Sequence, residues 1–300
     1  MTEVQTFVDA DGLEISYRRW LPDGTAKAIV QVAHGASEHS ARYERFARFL
    51  AGRGYAVYAN DHRGHGETAK VTGVGVAGER GWFGMVEDLH EFGALARRDV
   101  PDVPVVLFGH SMGSFLAQRF AELYGEQLAG LVLSGSSGAM TGLEDTIGGL
   151  DAVIEEAGGT APAPIFAAFN TPFEPARTAF DWLSRDPVEV DAYVADPMCG
   201  DDAPLTLGFV RDMLQTLQDA WRPENEARLP KSLPVLLVTG EADPVSEGAR
   251  TVRELEARYR KLGLTNVTGL YYPDARHELL NETNRDEVQD DIVNWLDKTL

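Results

Sequence analysis

Along this chain, short unbroken apolar runs alternate with stretches in which apolar residues return every three or four positions. Val4 to Val8 and Leu13 to Trp20 alternate around Asp9-Ala10-Asp11-Gly12, which predicts an opening β-hairpin. Continuous apolar runs follow at Ala28 to Ala33, Tyr55 to Ala59, Val103 to Phe108, Leu128 to Ser134, Pro234 to Thr239 and Val267 to Tyr272. Such runs read as strands buried on both faces. Helical spacing is carried between them by Tyr43, Phe46, Ala47 and Leu50, by Val86, Leu89, Phe92 and Ala96, and by Phe115, Leu116, Phe120 and Leu123. It returns at Leu255, Tyr259 and Leu262, and at Val288, Ile292, Val293 and Leu296. This alternation predicts an α/β fold with a mostly parallel central sheet covered by helices on both faces. Ligands of such sheets bind beyond the carboxyl ends of the strands.

The rhythm breaks between residues 138 and 231, where helical segments mix with Pro162, Pro164, Pro172 and Pro175 and no strand is evident. We expect residues 1–137 and 232–300 to form the core and 138–231 an inserted helical cap, or lid. Its aromatic residues Phe166, Phe169, Phe173 and Trp182 either line a substrate pocket or pack as the cap's own core. The insertion holds 17 acidic and 6 basic residues, more than half of the net charge of −20. A chain this acidic lacks the basic footprint that nucleic acid requires, and it is repelled by anionic membrane surfaces. Met1 to Gln5 shows no basic region followed by an apolar core, so no signal peptide is expected. No apolar stretch is long enough to span a bilayer. The single cysteine, Cys199, excludes an internal disulfide; beside Gly200-Asp201-Asp202 it reads as structural. Together these features predict a soluble, cytoplasmic protein.

The candidate chemistry sits where the fifth apolar run stops. Gly109-His110-Ser111-Met112-Gly113 separates a predicted strand from a predicted helix, with a serine at the apex. That context is the nucleophile elbow, in which small residues two positions either side let strand and helix approach. A serine hydroxyl is a weak nucleophile until a base takes its proton, and the base needs an orienting acid. In chain order serine, acid, histidine, only His277 lies beyond Ser111 among seven histidines. Glu241 and Asp243 both occupy the turn after the preceding strand. Asp243 is favoured, being further into the loop and stiffened by Pro244. The Met112 amide at the helix start and the Ala36 amide in the loop after the third run are the expected oxyanion donors, each worth about 3 kcal/mol.

Two other patterns are set aside. His62 and His65 flank Arg63-Gly64, but no further ligand set accompanies them, and no metal is expected. Gly73-Val74-Gly75-Val76-Ala77-Gly78 matches a dinucleotide fingerprint, yet it follows no strand and opens no helix. No cofactor is expected.

Taken together, His34-Gly35-Ala36-Ser37-Glu38-His39-Ser40, Asp61-His62-Arg63-Gly64-His65-Gly66, the serine pentad, Gly240-Glu241-Ala242-Asp243-Pro244 and the His277 loop are specific. In these the chain resembles the α/β-hydrolase superfamily, and within it the monoacylglycerol lipase and lysophospholipase-like (serine aminopeptidase-like) family. The resemblance implies Ser111, Asp243 and His277 as catalytic triad with the Ala36 and Met112 amides as oxyanion hole, and it selects Asp243 over Glu241. Ser37 stands where these lipases commonly have glycine, and Thr68 where a serine usually closes the second motif. The expected activity is cofactor-free hydrolysis of a small-molecule carboxylic ester through an acyl-enzyme on Ser111. An aminopeptidase-like amide hydrolase with the same triad, its acidic cap holding a terminal ammonium, is the alternative. A catalytically silent ligand-binding homologue is the other. Acyl chain length, ester or amide preference and oligomeric state stay open at this level.

Overall fold

A computed structural model of the chain describes residues 2–166 and 168–300; Ala167, inside the proline-punctuated stretch, lies outside the described residues. Eight strands form one sheet: β1 (Gln5–Val8), β2 (Glu14–Trp20), β3 (Ala28–Ala33), β4 (Tyr55–Asn60), β5 (Val105–His110), β6 (Gly130–Ser134), β7 (Val235–Gly240) and β8 (Val267–Tyr272). Their order is β1-β2-β4-β3-β5-β6-β7-β8. The β1–β2 hairpin and the β2–β4 pair are antiparallel, and every pair from β4 to β8 is parallel. All eight correspond to the runs read from the sequence. The parallel strands β3 to β7 are buried along their whole length, so they carry no polar alternation.

The helices are α1 (Glu44–Gly52), α2 (Ala69–Thr72), α3 (Gly81–Asp99), α4 (Met112–Tyr124), α5 (Leu143–Ala157), α6 (Pro187–Ala195), α7 (Leu207–Ala220), α8 (Pro223–Glu226), α9 (Arg250–Lys261) and α10 (Arg285–Thr299). One face of the sheet packs against α3, α4 and α9 through residues such as Leu89, Phe120 and Leu255. The other packs against α1 and α10 through Phe46, Leu50, Ile292 and Leu296. After β3 the chain goes first to β4 on one side and then to β5 on the other. The loops that leave β3 and β5 therefore part at a switch point, where side-by-side strands leave a crevice.

Between β6 and β7 the described residues add no strand to this sheet. Helices α5 and α7 of this excursion pack into the same core as α3 and α4, through Leu143, Ile147, Phe209, Val210 and Leu217. A second, smaller cluster gathers Phe180, Trp182, Leu183, Val190, Tyr193 and Cys199, with Phe166, Phe169 and Phe173 packed against it. The glycine-rich stretch 73–78 is a loop, as the missing strand before it implies. It docks the excursion instead of a nucleotide: Thr206 donates from its backbone and its hydroxyl to Gly75 O. A Cβ at Gly75 would meet Pro204 O at 2.3 Å, so glycine is needed for that contact.

Candidate active site

Strand β5 ends at His110 and α4 begins at Met112, so the whole reversal rests on Ser111. Its backbone, at φ 50° and ψ −121°, lies in a region that costs a non-glycine residue about 1–3 kcal/mol. The surroundings hold it there. Ser111 N–H donates to Ser134 O on β6 at 2.9 Å, and Ser111 O accepts from the Ser114 N–H and hydroxyl at 2.8 and 2.6 Å. The flanking glycines are required on steric grounds. A Cβ on Gly109 would lie 2.5 Å from Gly113 O, and one on Gly113 would lie 2.1 Å from Ala33 O.

The loops that leave β7 and β8 bring up the acid and the base. His277 Nδ1 donates to the Asp243 carboxylate at 3.0 Å to each oxygen, and both side chains are buried. The carboxylate is further aimed by the Val245 N–H at 2.9 Å. These loops meet because Gly240, at the end of β7, has no side chain: a Cβ there would lie 2.2 Å from Ala275 O. With Nδ1 committed to Asp243, Nε2 of the neutral ring is left as the acceptor. Burial opposes protonation of His277, but the Asp243 charge and hydrogen bond outweigh it, and the pKa is raised above the ordinary 6.5. Glu241, the other carboxylate in this turn, faces outward to Arg253.

Ser111 and His277 line one narrow cavity together with Gly35, Ala36, His110, Phe166 and Trp182. Among the described residues no hydrogen bond joins the Ser111 hydroxyl to the imidazole; pairs of this kind are often loose until substrate is bound. The amides of Ala36 and Met112 have no acceptor among the described residues, and Met112 N–H sits at the start of α4, where the first amides of a helix lack partners. Free space in the cavity is about 10 Å3, roughly one water molecule's worth.

Behind the cavity lies a buried ionic cluster whose wiring only the fold reveals. Arg42 donates to Glu38 at 2.6 Å and to both oxygens of Glu278 at 2.6 and 2.8 Å. Glu38 in turn accepts from Gly35 N–H and from the Tyr43 hydroxyl. One guanidinium thus joins the loop that bears Ala36 to the residue after His277. Burial works against ionisation of both carboxylates, yet Arg42 holds them below the usual range, Glu38 at about 2. His110 lies against His277 with ring centroids 4.8 Å apart and the rings tilted, and burial, then the His277 charge, pushes its pKa down to about 4. It stays neutral beside the base.

His34, His62 and His65 belong to the scaffold. His34 accepts from His62 N–H through Nε2 at 3.0 Å, and its ring packs on His62 and His65. His65 Nδ1 donates to Arg63 O at 3.0 Å, and burial lowers its pKa to about 3. Ser37 has φ 51°, in the left-handed region where glycine is the easier residue, which is why serine is a departure at that position. Thr68 donates its hydroxyl to Asp61 O and accepts from Ser16 N–H.

The four candidate aromatics divide. Phe166 and Trp182 line the Ser111 cavity, and the Trp182 ring lies 4.9 Å from His277. Phe169 packs on the back of Trp182 at 4.9 Å. Phe169 and Phe173 line a separate outer groove that runs past Pro244 and Glu247, and they do not reach the Ser111 cavity.

A protein-family model described as "Serine aminopeptidase, S33" matches residues 24–284. The chain is 32% identical over 295 residues to the monoacylglycerol lipase of Mycolicibacterium smegmatis, covering 97% of this chain and 95% of that one. It is also 32% identical to the monoglyceride lipase of Homo sapiens, covering 92% and 88%. Among solved structures, a thermostable carboxyl esterase from Bacillus coagulans in complex with glycerol superposes with a TM-score of 0.90 at 29% identity, covering 100% and 99% of the two chains.

Proposed function

The chain belongs to the serine aminopeptidase S33 family of α/β-hydrolases, and from that premise we propose that it hydrolyses carboxylic esters of small to medium acyl size, monoacylglycerols among them, with Ser111 as nucleophile. The observation that carries the reading is the Ser111 elbow, strained and packed, opening onto the same cavity as a histidine already oriented by a buried carboxylate. Relatives named monoacylglycerol lipase and carboxyl esterase support the ester class.

His277 Nε2 takes the Ser111 proton as the hydroxyl attacks the ester carbonyl, and Asp243 stabilises the imidazolium that forms. The tetrahedral oxyanion is received by the Ala36 and Met112 amides. The imidazolium then protonates the departing alcohol, leaving an acyl-Ser111. Water, deprotonated by His277, attacks that acyl group and frees the acid and the serine. Residues 138–231 act as the cap. With room for about one water over Ser111, an acyl chain enters only when that cap gives way. No helix among the described residues is long and apolar enough to cross a membrane. We place the enzyme in the cytoplasm, in keeping with its one unpaired cysteine.

The aminopeptidase reading of the family favours an amide substrate, for which a carboxylate must be free to hold a terminal ammonium. The two carboxylates on the cavity wall, Glu38 and Glu278, are both committed to Arg42, which favours the ester. Turnover of aryl esters against amino-acid anilides decides between them; preferential anilide cleavage would reverse the assignment. Ser111→Ala is expected to lower ester hydrolysis by about 10^4-fold or more and to abolish labelling by a fluorophosphonate. A folded Ser111→Ala protein that retains wild-type turnover removes the proposal.

A further inference from the structure

His39, Asp196 and Cys199 bring an imidazole, a carboxylate and a thiol together, with one donor atom from each lying within 4.8 Å of the others. None of the three lines the Ser111 cavity. His39 closes the segment that leaves β3, while Asp196 and Cys199 lie just past the end of α6, so the group spans two regions that are remote in sequence. The regions already touch here. The Gly200 N–H and the Tyr193 hydroxyl both donate to Ser37 O at 3.0 Å. His39 Nε2 lies 2.9 Å from Asp196 Oδ2, and the other Asp196 oxygen is fixed by the Met198 N–H at 2.9 Å.

Two further observations make this more than an ion pair. The Cys199 thiol is 2% exposed, points into the group and makes no hydrogen bond among the described residues. His39 is 3% exposed, and its Nε2 is the ring nitrogen turned toward Asp196, Nδ1 lying buried on the other side of the ring without a partner. Buried polar groups normally find partners, and an unpartnered one beside two other donors is a place an ion can fill. The Asp196 side chain is 28% exposed and provides the way in from solvent.

We propose that His39, Asp196 and Cys199 form a binding site for a thiophilic divalent cation of the zinc class. The donor set selects the class. Thiolate and imidazole favour zinc over magnesium or calcium, and three protein ligands leave a fourth tetrahedral position for water. The charges balance, since a thiolate and a carboxylate neutralise a dication and the imidazole binds in its neutral form. When the sulfur–metal bond forms, the thiol proton is released to water. A bound cation ties the end of α6 to the segment that carries Ala36, joining cap to oxyanion loop without entering the reaction. This inference does not rest on the hydrolase reading, and its readouts do not involve turnover.

The test is titration of the full-length protein with cobalt(II), read by sulfur-to-cobalt charge-transfer absorption, followed by displacement with zinc and by thermal unfolding with and without zinc. One equivalent of cobalt with a thiolate band, displaced by zinc, and a zinc-dependent rise in unfolding temperature are expected. Cys199→Ser is expected to lose the band, and both Cys199→Ser and His39→Gln to weaken zinc by at least about tenfold. The double variant Asp201→Asn/Asp202→Asn, which removes neighbouring exposed acids outside the triplet, should bind like the wild type. Absence of the thiolate band in the wild type, or zinc affinity unchanged in either ligand variant, overturns the site. Should Cys199→Ser fold poorly, His39→Gln carries the same test.

Discussion

The loops that leave β3, β5 and β8 and the long excursion between β6 and β7 face each other across one narrow cavity, and they are held in different ways. Each strand-end loop is fixed by steric necessity and buried polar bonds: Gly109 and Gly113 permit the elbow, Gly240 admits the histidine loop, and Arg42 fastens Glu38 to Glu278. The described residues of the excursion between Gly158 and Pro187 include short 3-10 turns whose aromatic residues pack around Trp182, with bonds such as Trp182 N–H to Asn170 and Arg276 to Ser184 O bracing the turns. Aromatic packing tolerates substitution of similar volume, whereas an interlocked turn does not. On the proposed reading, reaction type and substrate range are separable, with the first written into the sheet edge and the second into a region open to remodelling.

The severest way to break that division is to disturb the sheet edge while leaving the excursion intact. Asp243→Asn keeps the shape but offers the wrong partner to His277 Nδ1, and turnover should fall by about 10^4-fold. The pH profile carries a second signature. The base must be neutral, so activity is lost as pH falls through the His277 pKa. That pKa is raised over the ordinary 6.5 by Asp243 against the pull of burial. The acid limb of kcat/KM should therefore lie above pH 6.5 in the wild type and move downward in Asp243→Asn. An unmoved limb would mean that the titrating group is not His277.

Arg42 gives the next largest effect. Arg42→Met leaves Glu38 and Glu278 buried without their counter-charge, which costs about 3–5 kcal/mol of stability where one partner of a buried pair is removed. If the guanidinium also positions the Ala36 loop through Glu38 and Gly35, kcat should drop more than KM rises. Arg42→Lys should recover stability better than kcat, because an ammonium cannot serve both carboxylates with the same fork. Steady-state kinetics beside thermal unfolding separates the two effects, and an equal loss in both would leave Arg42 with a structural role only.

Which of these parts were legible beforehand follows the same division. The buried strands announced themselves because a parallel strand covered on both faces is apolar throughout, and all eight were read to within a few residues. Ser111 and His277 were readable because an elbow needs small neighbours and because chain order leaves a single histidine beyond the serine. Loop position and Pro244 favoured Asp243 over Glu241, but both occupy the same turn and family resemblance was needed to select between them; in the fold one faces inward and the other meets Arg253. The Arg42 fork and the approach of His39 to Cys199 were not readable, because they join residues more than a hundred positions apart and leave no periodic trace. Acidic neighbours in sequence made Cys199 look purely structural, while its neighbours in space include an imidazole.

Remodelling the excursion should change selectivity with little loss of chemistry. Phe166 shares the cavity wall with Ser111, and its ring stacks on Trp182 at 5.7 Å. Phe166→Ala should enlarge the acyl space and raise the kcat/KM ratio of longer over shorter esters by about tenfold, the scale on which apolar pockets discriminate one or two methylenes. Hydrolysis of a series of p-nitrophenyl esters checks this. A ratio unchanged along the series would place acyl recognition elsewhere.

The smallest effect is expected at Phe173, and it tests where the substrate region ends. Its ring carries the Arg276 guanidinium at 4.2 Å, and Arg276 also donates to Asp181 O and Ser184 O, so the pair braces the turn that precedes α6. Phe173 borders the outer groove and not the cavity over Ser111. Phe173→Ala should therefore cost about 0.5–1 kcal/mol of stability, as loss of a partly exposed cation–π contact does, and leave the acyl-length ratio as it is. Thermal unfolding and the same ester series measure both. If the ratio moves as far as in Phe166→Ala, the outer groove takes part in substrate binding, and the sheet edge and the excursion are less separable than their packing implies.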